Sequence, residues 1–144
     1  MPIAAMIADQ AEHFEDKIAI YYQDRKIDYR ELNETANRIA NSLLERGVQK
    51  GENVGILLPN RPEFVQSFFG IVKAGAVAVL INSSLKRDEL EYILQNSNAT
   101  RLITTDRHFD RIRHLRDKLE NLEEIFILSD ETPEEGLFHF NELL

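Results

Sequence analysis

The four histidines, His13, His108, His114 and His139, are the first residues to test for metal or proton chemistry. No two stand three or four positions apart, so no helix presents a two-histidine metal face. His108 and His114 are six apart and point in different directions on a helix. There is no cysteine, which removes thiolate zinc sites, disulfides and cysteine nucleophiles. The acid pairs Asp88-Glu89, Glu123-Glu124 and Glu134-Glu135 are chain neighbours and do not converge on one ligand. Lys73 precedes Gly75, where a cation neutralises a helix carboxyl end, and nothing nearby would activate it for catalysis. Asp106 follows a strand-like run and reads as a helix N-cap. A phospho-accepting aspartate would need further acids after the first strand, where Pro59-Asn60 stands. Arg107, Arg111, Arg113, Arg116 and Lys118 form a basic stretch interrupted by Asp110 and Asp117, which reads as a solvated helix surface.

The best polar cluster is Asn82-Ser83-Ser84. It reads either as a hydrogen-bonding rim for a small ligand or as a turn whose side chains satisfy local backbone groups. No strand end carries a glycine-rich phosphate cradle: G-x-G-x-x-G and the Walker form are both absent. Gly51-x-x-x-Gly55 runs into a strand rather than a helix. The residues alone therefore assign no catalytic group, no metal ligand and no cofactor-binding residue.

The elements that would position these groups alternate regularly. Ile3, Ile7, Ala11 and Phe14 make one helical face after Pro2. Lys17–Tyr22 and Arg25–Tyr29 read as a small hairpin. Asp28 and Glu31 have capping-box spacing for a helix carrying Leu32, Ala36, Ile39 and Leu43, which stops at Gly47. Strands follow at Asn53–Leu58, Ala76–Ile81, Thr100–Thr105 and Glu124–Leu128. Helices run between them: one capped by Asn60 and Glu63 with Phe64, Val65, Phe68, Phe69 and Val72, then Arg87–Asn96 and Asp106–Leu119. The apolar run Ala76–Ile81 predicts a strand buried on both faces.

The expected fold is α/β: a doubly wound, mostly parallel sheet of about four strands, flanked by helices, beside a small N-terminal β-hairpin. The first and third of the four strands are expected side by side at the centre. Residues 1–144 are expected to form a single domain. Lys and Arg total 17 against 25 Asp and Glu, a net charge of −8, which disfavours nucleic acid as a partner. The longest apolar run is six residues, so no transmembrane segment is expected, and no basic leader precedes Asp9 and Glu12. A cytoplasmic location is the expectation.

Taken in order, the motifs resemble those of the AMP-forming adenylating enzymes. Ile27-Asp28-Tyr29-Arg30-Glu31-Leu32 is similar to that family's early L-T-Y-x-E-L motif. Lys50-Gly51-Glu52-Asn53-Val54, Leu58-Pro59-Asn60, Pro62-Glu63-Phe64, Lys73-Ala74-Gly75-Ala76, Asn82-x-x-Leu85 and Glu89-Leu90 follow in its order and spacing. The run Pro62–Val65 with Phe68-Phe69-Gly70 resembles acyl-CoA synthetases more than peptide-synthetase domains. Leu80 and Ser83 stand where the family commonly has proline, which loosens the Asn82 turn. Lys86 stands where a hydroxyl residue commonly caps the next helix, and Ser84 is the expected substitute.

The resemblance implies an acyl-CoA synthetase activity for the parent enzyme: ATP and a carboxylate give an acyl-adenylate, which CoA then attacks, with Mg²⁺ neutralising the phosphates. It also implies that the phosphate-binding loop and the catalytic lysine lie further along than this chain reaches. The 144 residues alone are expected to be inactive, with Asn82, Ser83 and Ser84 as a substrate-pocket rim. The expected partner is the remainder of the parent enzyme, or a second copy through an exposed apolar face. The tail Leu137–Leu144 is the expected cover for part of that face.

Overall fold

The computed structural model describes residues 2–144. Helix α1 (Ile3–Phe14) follows Pro2 and buries Ile7. Strands β1 (Ile18–Tyr22) and β2 (Arg25–Asp28) pair antiparallel as the expected hairpin. Ile7, Ile27 and Leu32 form a small core there, flanked by Val65 and Phe69. Asp28 caps α2 (Tyr29–Glu45): its carboxylate accepts the Glu31 N–H at 2.8 Å. The chain leaves that helix through Gly47 at φ 88°, a conformation that suits glycine.

The main sheet is parallel, with β3 (Asn53–Leu57), β4 (Val77–Leu80), β5 (Arg101–Thr105), β6 (Glu124–Leu128) and β7 (Phe138–His139). Its order is β4-β3-β5-β6-β7, so the first and third expected strands are indeed adjacent. The fifth strand is a two-residue addition from the tail. Crossovers are α3 (Pro62–Lys73), α4 (Arg87–Ser97) and α5 (Asp106–Ile112). One face is packed by Ile39 and Leu43 of α2, Ile71 of α3 and the tail residues Phe140 and Leu143. The other is packed by Leu90 and Leu94 of α4 and by Phe109 and Ile112 of α5. No helix among the described residues is long and apolar enough to cross a membrane.

Several expectations need correction. β4 is not buried on both faces but forms an edge, leaving Val77 48% and Leu80 54% exposed. An apolar run reports strand character and not how many neighbours the strand has. Asn60 does not cap α3; Arg61 holds that position without a side-chain cap. The face of α3 that is fully buried carries Glu63, Gln66, Ser67, Gly70 and Ile71, while Phe64, Val65, Phe68, Phe69 and Val72 are only half-buried. Close approach of α2 leaves no room for a Cβ at Gly70. Thr105, not Asp106, caps α5 by accepting the His108 N–H at 3.1 Å. The helix expected to reach Leu119 stops at Ile112 and tightens into a 3-10 segment, Arg113–Lys118, that buries Leu115. Ser84 does not start α4; Lys86 occupies the cap, and its N–H donates to the Glu89 carboxylate at 3.2 Å. The tail buries Phe140 and Leu143 beside β6, at the opposite edge from β4, while Leu144 stays 49% exposed.

Candidate functional site

Open parallel sheets bind ligands at the carboxyl ends of their strands. Two depressions lie along that edge and meet at Pro59. The first, about 410 Å³, has Leu58, Phe64 and Leu80 as apolar lining and Asn82, Ser83 and Ser84 as its polar rim. The rim is a tight turn. Asn82 Oδ1 accepts the Ser84 N–H at 2.8 Å, and the Asn82 carbonyl accepts the Leu85 N–H at 3.2 Å. Arg111 reaches across from α5 and donates to the Ser83 carbonyl at 2.9 Å and to the Leu85 carbonyl. The Asn82 carboxamide oxygen thus serves its own turn, and the guanidinium fixes the turn's shape.

The second depression, about 400 Å³, includes Arg61, Thr105, Asp106, Arg107 and His108. It spans the ends of β3, β5 and β6, and so includes the point between β3 and β5 where the sheet order reverses. Thr105 Oγ1 accepts the His108 N–H at 3.1 Å and lies 2.6 Å from the same residue's ring Nδ1, so the cap and the imidazole share one hydroxyl. Burial first, then the charges of Arg111 and Arg107, push the His108 pKa down from the ordinary imidazole value against the pull of Asp106. Asp106 accepts the Ser129 hydroxyl at 3.0 Å.

Behind Arg61 lies a buried carboxylate. Glu63 is 7% exposed and is held by Arg61 Nε at 2.9 Å and Arg25 Nη1 at 3.2 Å, which ties the hairpin to α3. Burial pushes its carboxyl up, but its own backbone N–H and the bonds from Arg61 and Arg25 prevail and hold it below 4.5. A depressed pKa contributes stability that is present above the unfolded value and lost as pH falls through the folded one. Glu63→Gln is therefore expected to lower the urea midpoint at pH 7, with the gap to the parent narrowing once pH drops below 4.5. A gap that stays constant down to pH 3 would contradict that role.

The carboxyl edge does not fit a triphosphate. Such a group needs main-chain N–H groups in a glycine-bearing loop there. Of the six glycines, Gly47, Gly51, Gly75 and Gly136 precede strands at the amino edge, while Gly55 and Gly70 lie inside β3 and α3. Among the described residues, the one cluster spaced for a metal is Asp9, Glu12 and His13, on α1 and away from this edge. The sequence-derived rim is thus brought together, but no catalytic constellation stands beside it. Sequence reading missed the Arg111 clamp and the Arg25–Glu63–Arg61 cluster. The PEF motif marked Glu63 without revealing Arg25, its partner 38 positions away.

A profile of the family described as AMP-binding enzyme matches residues 7–143. The chain is 35% identical over 134 residues to a medium/long-chain-fatty-acid–CoA/3-oxocholest-4-en-26-oate–CoA ligase of Mycobacterium marinum, covering 90% of this chain and 24% of the relative. It is 38% identical over 144 residues to a crotonobetaine/carnitine–CoA ligase of Citrobacter koseri, covering 94% and 28%. Among solved structures, the anthranilate CoA ligase AuaEII in complex with anthranoyl-AMP superposes with a TM-score of 0.92 at 37% identity, over 99% of this chain and 27% of that one. The N-terminal domain of FACL13 from Mycobacterium tuberculosis superposes with a TM-score of 0.77 at 28% identity, over 99% of this chain and 35% of that one. The chain thus spans about a quarter of the length of the curated relatives it matches.

Proposed function

Because the chain belongs to the AMP-binding enzyme family, we propose that it is the amino-terminal platform of an ATP-dependent acyl-CoA ligase. That enzyme would activate a fatty acid or another carboxylate as its adenylate and pass the acyl group to CoA. The reading rests on one observation above others. The chain superposes along 99% of its length on an adenylate-bound CoA ligase, yet its own carboxyl edge has no glycine-bearing phosphate loop.

In this reading the platform's residues shape and position rather than react. Leu58, Phe64 and Leu80 form part of an acyl-pocket wall, with Asn82, Ser83 and Ser84 as its rim. Arg111 holds that rim in place through two carbonyls. ATP, Mg²⁺ and CoA are held by the rest of the ligase polypeptide, which is also the platform's partner, in the cytoplasm. Supplied with ATP, Mg²⁺ and fatty acids of graded length, the pure chain is expected to release no pyrophosphate above the protein-free rate. Carboxylate-dependent release would overturn the reading. The open edge at β4 favours a second reading, a stand-alone module that associates through Val77 and Leu80.

A further inference from the structure

Helix α1 carries a donor set that the ligase reading does not use. Asp9, Glu12 and His13 stand at i, i+3 and i+4, the spacing that brings side chains together on one helix face. Each offers one ligand atom, a carboxylate oxygen from each acid and a nitrogen from the imidazole, and the three lie within 4.8 Å of one another. Atoms bonded at about 2.0–2.2 Å to one tetrahedral ion stand roughly 3.4 Å apart, so small side-chain rotations close this set onto a cation. The helix that holds them is fixed to the fold by Ile7, 4% exposed and clustered with Ile27 and Leu32.

The charges nearby leave the set without a competing cation. Arg30 is taken by Glu15 at 2.9 Å and Asp16 at 3.2 Å, and Lys17 lies over the Phe14 ring. Among the described residues, neither Asp9 nor Glu12 pairs with a lysine or arginine. Asp9 meets only His13, whose Nδ1 is 3.5 Å from the carboxylate and donates to the Asp9 carbonyl at 2.9 Å. That bond first, then the Asp9 charge, raises the His13 pKa above the ordinary imidazole value against desolvation, and Glu12 adds to the rise. Protonated, the ring repels a metal ion; neutral, it is a ligand. The partners of His13 are carboxylates, not a second histidine, and the imidazole is what separates this set from the acid pairs elsewhere in the chain.

We propose that Asp9, Glu12 and His13 bind a divalent transition cation of the zinc class, with water completing its shell. One nitrogen and two oxygens suit zinc, nickel and copper, whereas Mg²⁺ prefers oxygen donors and keeps its own water. The ion would close the carboxyl-terminal turn of α1, a helix whose Pro2 cap makes no side-chain bond and whose first turn has no acid. Binding to the folded helix alone stabilises it where it packs on α2 and α3. The site owes nothing to the ligase reading and stands or falls separately from it.

Zinc chloride titrated into the 144-residue protein, followed by the ring resonances of the four histidines, tests this. The His13 resonances are expected to shift first and to saturate with one ion per chain. His13→Gln, at a side chain 60% exposed, should keep the helix content and weaken zinc binding at least about tenfold. Asp9→Asn should weaken it in the same direction. His114→Gln removes the imidazole 3.7 Å from Glu91 and should leave the tightest binding unchanged. Lowering the pH through the His13 pKa should weaken binding by up to about tenfold per pH unit, because one proton competes with the ion. Magnesium chloride at the same concentration should neither shift His13 nor displace zinc. An unshifted His13, equal affinity in His13→Gln, loss of the tightest site in His114→Gln, or displacement by magnesium would each overturn the proposal.

Discussion

Arg101→Met is expected to cost about 3–5 kcal/mol of folding stability, the loss typical of breaking a buried ion cluster from one side. Arg101 is 3% exposed at the start of β5. Its guanidinium meets Glu124 at 2.8 Å, Glu123 at 3.0 Å and Glu52 at 3.4 Å, and donates to the Arg46 carbonyl at 2.7 Å. Glu52 also accepts the Thr100 hydroxyl at 2.8 Å, and Arg46 shares Glu124 from the other side at 2.6 Å. Without Arg101, these acids would face one another with a single cation nearby. Arg101→Lys keeps the charge but not the planar fork, so it should recover only part of the loss. Urea unfolding of the three proteins is the measurement. A loss below about 1 kcal/mol for Arg101→Met would show the cluster to be solvated.

Gly70→Ala should destabilise by about 1–3 kcal/mol through overpacking, although the same change at an open helix position stabilises. A Cβ at Gly70 would lie 2.5 Å from Ile39 Cγ2, 2.7 Å from Ile39 Cβ and 3.2 Å from the Ala36 carbonyl oxygen. Two of these atoms belong to the rigid core of α2 and cannot swing aside. The helices must separate, and the shared core of Ile39, Leu43 and Ile71 loosens with them. The double change Gly70→Ala with Ile39→Ala should cost less than the sum of the two single changes, because it removes the nearest obstacle. Strict additivity in thermal unfolding, or a Gly70→Ala protein more stable than its parent, would contradict the close contact.

Much of the architecture is legible in local pattern. Alternating apolar runs mark the strands and helices, Asp28 marks a helix start, and Gly47 marks a helix stop. The expected central neighbours β3 and β5 are the observed ones, although strand–helix alternation by itself allows other orders. What escapes local reading depends on distant partners. Nothing in Ala76–Ile81 shows that no strand lies beyond β4. Glu63 looks like an ordinary first-turn acid until Arg25, 38 positions away, folds over it. The rim at Asn82 is legible as a polar turn, but its clamp at Arg111 comes from another crossover, 28 positions from Ser83. The buried face of α3, with Glu63, Gln66, Ser67 and Gly70, is hidden because Phe64, Phe68 and Phe69 dominate its pattern.

In the proposed function these residues form a platform that positions and does not grip nucleotide. Pyrophosphate release by the purified chain, followed continuously with ATP, Mg²⁺ and a series of carboxylates, tests it most directly. The platform account predicts a rate equal to that of ATP alone at every protein concentration. A carboxylate-dependent rate that rises in proportion to the protein would contradict it.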